Sequence, residues 1–251
     1  MRTILRLTVL AGILAAVLAR AAGTNDEAVA MLRAADRARG NLDGVVWSVH
    51  VVAAEEGAAT RSNAYRVKAR GFDVLAEVLE PARQKGNKLL MHAGNMWFAK
   101  PDLSKPVPIS QRQRLAGSAA NGDLAATNYA EDYEPSAVTA GEVDGEPCRV
   151  FDLKARPGRS CTYDRVVDYV SVARRVGVRA EYFTSSGKLI KTARMAYDNT
   201  VAGADGRPAP FISGIVIRDA IVTNSTTAMA FSAPLLQTLA PETFDVNLLR
   251  R

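Results

Sequence analysis

From Val45 onward, hydrophobic and polar positions alternate along most of the chain. Val45, Trp47, Val49 and Val51 fall on one face of an extended segment, because successive side chains of a strand point to opposite sides. Tyr65, Val67 and Ala69 alternate with Arg66, Lys68 and Arg70, and Val74, Ala76 and Val78 make a third run. Lys88 to His92 and Met96 to Ala99 flank Ala93-Gly94-Asn95, which predicts a short hairpin. The theme recurs in Val138 to Val143, a turn at Asp144-Gly145, and Cys148 to Leu153. Tyr163 to Val172 reads as a long strand. Val178 to Thr184 turns at Ser185-Ser186-Gly187 and returns through Leu189, Ala193, Met195 and Tyr197. Phe211 to Ile217 and Thr227 to Phe231 complete about ten strands at hairpin spacing, which predicts an antiparallel sheet that must curve or close.

Helical spacing is confined to a few places. Thr24 to Arg39 reads as a helix, with Thr24 and Glu27 as a capping box and Gly40 as its stop. Ala119 to Tyr133 breaks the strand pattern and predicts a short helix. Asn121-Gly122-Asp123 suits a turn there, with Asp123 capping the helix that follows and so positioning Tyr129 and Tyr133 against the sheet. Pro234 to Leu239 and Pro241 to Leu249 read as loop with short helical turns.

The start of the chain has a different pattern. Arg2 and Arg6 precede an uncharged, largely apolar run from Leu7 to Leu18, and Ala19-Arg20-Ala21 supplies a small-x-small cleavage site. This predicts a signal peptide over 1–21 and one mature domain over 22–251. The run is too short to span a bilayer, which needs about 20 apolar residues. No cysteine follows it, so the expected product is a non-lipidated, soluble protein of the periplasm.

Charge changes the picture little. The net charge is +6, but without Arg2, Arg6 and Arg20 it falls to +3, with 29 basic against 26 acidic side chains. No lysine-rich block exists, which argues against nucleic acid as a partner. Cys148 and Cys161 could pair in an oxidising compartment. The turn at Arg156-Pro157-Gly158 is not centred between them, which favours two free thiols.

Catalytic patterns are missing. His50 and His92 are the whole imidazole supply, and neither sits in a ligand cluster. There is no Gly-x-Ser-x-Gly elbow, phosphate-cradling glycine loop or zinc spacing. Asp123, Glu131, Asp132 and Glu134 cluster in sequence, but read best as a solvated helix-and-loop face. The expectation is a protein that is not an enzyme and has no cofactor or metal. The apolar inventory is more informative. Trp47, Met91, Trp97, Phe98, Tyr129, Tyr133, Tyr182 and Met195 are the bulky or adaptable residues from which either a filled core or a lipid cavity could be lined. Alternation puts Trp97 and Phe98 on opposite faces.

Four segments carry a resemblance: LEPARQKGNKLLMHAGNMWFAKP from Leu79 to Pro101, QRLAGSAANGDLAATNYAEDY from Gln113 to Tyr133, AEYFTSSGKLIKTA from Ala180 to Ala193, and FDVNLL from Phe244 to Leu249. Together they resemble the LolA-like outer-membrane lipoprotein-sorting family, in its broad, largely uncharacterised branch. The resemblance implies a mainly β fold: a curved, incompletely closed antiparallel β-barrel covered by helices. It implies a periplasmic carrier that binds the acyl chains of lipoproteins or other lipids in an apolar cavity for transport to the outer membrane. A membrane-bound donor or acceptor protein would be a further partner. The alternative is a non-enzymatic envelope sensor or regulatory module on the same fold.

Overall fold

The structure is a computed structural model that describes residues 26–57, 59–222 and 224–249. The predicted signal peptide and Thr24 of the predicted capping box lie outside these residues. Helix α1 covers residues 26–38 and turns Ala28, Met31, Leu32 and Ala35 into the core.

The strands follow in chain order. The first half contains β1 (Val45–Ala54), β2 (Arg61–Arg70), β3 (Asp73–Glu80), β4 (Lys88–His92), β5 (Asn95–Ala99), β6 (Val107–Ile109), β7 (Arg114–Ala116) and β8 (Ala119–Ala120). After them comes the four-residue helix α2 (Tyr129–Asp132). The second half contains β9 (Tyr133–Val143), β10 (Glu146–Ala155), β11 (Arg165–Ser171), β12 (Gly177–Phe183), β13 (Leu189–Ala196), β14 (Asn199–Ala202), β15 (Pro208–Phe211), β16 (Gly214–Asp219) and β17 (Thr226–Leu236). Two hairpins turn through paired residues with positive φ, Ala93-Gly94 and Asp144-Gly145, the conformation that matches the twist of the strands they join.

Among the described residues, a 13-stranded sheet runs β6-β5-β4-β3-β2-β1-β17-β16-β13-β12-β11-β10-β9, and every neighbouring pair is antiparallel. The last strand, β17, fills the place between β1 and β16. The sheet is not closed, because β6 and β9 remain its two edges. It is nevertheless strongly curled. The Gln111 side chain donates to the carbonyl of Gly94, in the β4–β5 turn, at 2.9 Å, and to that of Ser160, between β10 and β11, at 3.0 Å. In a flat sheet those places would lie about nine strand spacings, roughly 43 Å, apart.

The two faces bury different things. Inward rows such as Val45, Trp47, Val49 and Val51 join α1 and residues 116–133 in one large apolar cluster. On the outer face Val46, Leu90, Ala99 and Trp97 pack beneath Leu239, Phe244 and Leu249 of the C-terminal segment. That segment makes two tight turns, Pro241–Phe244 and Val246–Leu248.

Several boundaries differ from the sequence expectation; β9 begins at Tyr133 and not at Val138. The predicted strand Phe211 to Ile217 is interrupted, with β15 pairing β14 in a separate ribbon and β16 joining the main sheet. Pro234 does not end β17. Ser48 pairs with Ser232 and Val46 with Leu235, so Ala233 and Pro234 together face Trp47. Such a bulge tolerates a residue that cannot donate to the ladder.

Candidate functional site

The mouth of the curled sheet is crossed by residues 110–132. Two glycines allow the close approach. Gly117 has φ +51, and a Cβ on it would meet Thr227 Oγ1 at 2.3 Å and Ala53 Cβ at 2.7 Å. A Cβ on Gly122 would meet Thr162 Oγ1 at 1.9 Å. Polar bonds fasten the segment. Ser118 N–H donates to Thr227 Oγ1 at 2.9 Å, Arg112 Nε to the Cys161 carbonyl at 3.0 Å, and Asn41 Nδ2 to the Thr127 carbonyl at 3.0 Å. Its buried apolar side chains are small: Ala116, Ala119, Ala120, Ala125, Ala126 and Ala130, with Leu124 the larger exception.

Asp123 is buried rather than solvated. It accepts from Ala120 N–H at 2.8 Å, from the Tyr163 hydroxyl at 2.7 and 2.8 Å, and from Lys191 Nζ at 2.9 Å. Lys191 also donates to the Ser118 carbonyl at 2.8 Å and lies 4.7 Å from the centre of the Tyr163 ring. Asp123 therefore closes its own turn, Asn121–Leu124, and does not cap α2. The cap comes from Asp36 of α1, whose two oxygens accept the N–H groups of Tyr129 and Ala130 at 2.9 Å each. Asp132 is buried too, while Glu131 and Glu134 are exposed. The predicted solvated acidic face is thus divided, because the chain turns two of its carboxylates inward against polar partners.

Beneath this cover the interior is filled. A space of about 30 Å³ is bordered by Arg39, Phe72, Met91, Tyr129, Tyr133 and Tyr163, among others. Another of about 10 Å³ adjoins Arg39, Asp36, Asp168, Tyr129, Met195 and Tyr197. Each has room for about one water. Burial raises the carboxyl of Asp36 to about 6. It raises that of Asp168 to about 7, helped by the Asp36 charge and opposed by Arg39. Burial also pushes the phenols of Tyr129, Tyr182 and Tyr197 upward. Outside the seal, an open hollow of about 270 Å³ is lined by Arg112, Arg114, Tyr163, Phe183, Ile190 and Lys191, among others.

The structure disperses the eight residues proposed from sequence as a cavity lining. Met91, Tyr129 and Tyr133 border the larger interior space, and Met195 borders the smaller one with Tyr129. Trp47 is core, packed edge-on to Phe211 with ring centres 5.6 Å apart. Tyr182 is core against Tyr163, at 4.2 Å. Phe98 packs on the inner cluster. Trp97 lies on the outer face, away from the interior, as the alternation of β5 requires. Arg39, Asp36, Asp168 and Lys191 were not singled out from sequence. The available signal was a charge in an inward row: Asp168 between Val166 and Val170, and Lys191 two residues before Ala193.

Both cysteines are free and buried, Cys161 in the main cluster and Cys148 in a smaller one with Val143 and Val176. Among the described residues no group of three or more His, Cys, Asp or Glu could hold a metal ion. No helix among them is long and apolar enough to cross a membrane.

A LolA superfamily protein from Nitrosomonas europaea superposes with a TM-score of 0.76 at 29% identity, covering 87% of this chain and 97% of that one. A domain from Vibrio parahaemolyticus described as outer membrane lipoprotein-sorting gives 0.73 at 17% identity, covering 89% and 98%. A DUF1329 family protein from Desulfovibrio piger gives 0.70 at 17% identity, covering 88% and 98%. No curated protein matches. A family model described as "Uncharacterized protein" matches residues 72–251. That match makes the chain a member of this family of uncharacterized proteins, and the shared architecture shows that its fold is LolA-like.

Proposed function

We propose that this protein is a non-enzymatic periplasmic carrier of acyl chains, those of lipoproteins or other lipids, whose interior is closed in the conformation described above. One observation carries the reading. The inner face of the sheet is largely apolar, broken by Asp168 and Lys191, while the segment across its mouth buries six alanines beside Leu124 and the partly buried Leu115 and Tyr129, and is fastened by hydrogen bonds and the Asp123–Lys191 ion pair. Displacing alanines forfeits little apolar burial, and each hydrogen bond exchanged for one to water changes stability by only about 1 kcal/mol. An acyl chain gains about 0.8 kcal/mol per CH₂ removed from water. A chain of ordinary length can therefore offset the cost of moving the segment aside.

Ser118 and Ser225 supply the test, because their hydroxyls are 3.0 Å apart across the seam. With cysteine at both positions, a fluorescent fatty acid should bind saturably to the reduced protein and fail to bind once the pair is oxidised. No binding in either state would overturn the carrier reading, and equal binding in both would place the cargo outside the interior that the segment covers. Mass spectrometry of lipids that copurify from the native envelope would identify the cargo.

A second reading, a partner-binding sensor, draws on the filled interior and on edge strand β9, where residues 136–140 are all exposed. It expects no probe binding in either redox state.

A further inference from the structure

Arg39 is the anomaly of the interior. It follows α1, is 8% exposed, and its guanidinium has no hydrogen-bond or ion-pair partner among the described residues. The guanidinium nitrogens are not among the fully buried, unpartnered side-chain atoms, so they keep a narrow contact with solvent, and a group with five N–H donors and so little water is costly to bury. Its neighbours are polar but otherwise engaged or out of reach. Both oxygens of Asp36 are committed to the backbone of α2. Asp168, 2% exposed, influences Arg39 through its charge without forming an ion pair. Tyr197 contributes a buried hydroxyl that also has no partner.

The position matters as much as the charge. Arg39 borders both interior spaces, so it stands at the base of the region that the 122–133 stretch covers. Phe72, Met91 and Tyr133 form an apolar and aromatic wall beside it. A cation at the foot of such a wall suits a ligand with an oxyanion at one end and hydrocarbon along its length.

We propose that Arg39 receives the anionic head, carboxylate or phosphate, of an amphiphile that enters head first beneath the crossing segment. The inference rests on the carrier reading and specifies the chemistry of its cargo.

The test compares hexadecanoic acid, lysophosphatidic acid and hexadecanol as competitors of a neutral fluorescent lipid probe, on wild type, Arg39→Met and Arg39→Lys. Wild type should prefer at least one anion over the alcohol by about tenfold. Arg39→Met should erase that preference while still binding the alcohol, and Arg39→Lys should keep part of it. Which anion is preferred names the head group. Equal binding of acid, phosphate and alcohol by wild type overturns the proposal and leaves the carrier reading standing, as does a preference that survives in Arg39→Met. If the neutral probe itself does not bind wild type, the carrier reading fails and takes this proposal with it. Should Arg39→Met not fold, wild type and Arg39→Lys still decide between these outcomes.

Discussion

The carboxylate of Asp36 accepts the Tyr129 N–H at 2.9 Å, joining helix α1 to the segment that crosses the mouth 93 residues later. The bond caps α2 from another element, so the first helix and the cover over the interior are one mechanical unit. Asp36→Ala should cost about 1–2 kcal/mol, the range for losing a helix cap. It should also speed hydrogen exchange at Tyr129 and Ala130 relative to the strands. A melt and an exchange experiment would check this, and protection of both amides at the wild-type level would contradict the assignment.

The same carboxylate, with Asp168, makes stability depend on pH. Both bind their proton more tightly in the folded protein, at about 6 and about 7 against an ordinary 3.8. Protonation therefore favours the fold. Their stabilising contribution is complete below 3.8 and is lost as pH rises through about 6 and then about 7. Asp168→Asn should raise Tm at about pH 8 and change it little at about pH 4. Melts at the two pH values test the sign, and a loss of Tm confined to the higher pH would contradict it.

The sequence displays the sheet better than the site. Strands such as Val45 to Val51 and Tyr65 to Ala69 are legible because one face is buried and the other wet. Pro234 misleads, since the bulge that accommodates it depends on register with β1, a strand far away in sequence. The polar interior misleads for a related reason. Asp36, Asp168 and Lys191 each look like an isolated charge near apolar residues, and Asp123 like a helix cap in an acidic stretch. What brings them together is the curl of the sheet and the crossing segment, and local periodicity reports neither.

Asp123 and Lys191 form a buried ion pair at 2.9 Å, with side chains 8% and 7% exposed. That geometry replaces the helix cap expected of Asp123 from sequence with a charge whose loss would strand Lys191. Removing one partner strands the other charge, at a cost of about 3–5 kcal/mol, whereas removing both can be far less costly. Lys191→Met and Asp123→Asn should each be strongly destabilising, and the double variant should recover much of the loss. Urea unfolding of the four proteins would measure the coupling. Additive losses would mean that the two groups do not support each other.

Trp97 and Met91 separate the two faces of the sheet and so test the site itself. Trp97 is half-buried on the outer face beside Leu90, Phe244 and Leu249. Trp97→Ala should cost roughly 2 kcal/mol, less than the about 3–5 of a fully buried aromatic. It should leave lipid-probe affinity unchanged, because nothing it touches borders the interior. Met91 is 1% exposed and borders the space of about 30 Å³ under the cover. Met91→Trp adds more volume than that space supplies, so some overpacking strain, about 1–3 kcal/mol, is expected. On the carrier reading it also narrows the path beside Arg39 and should weaken probe binding more than its effect on Tm would suggest. Measuring affinity and Tm for both variants distinguishes the causes. If Trp97→Ala abolishes binding while Met91→Trp does not, the cargo lies on the outer face and the interior site is wrong.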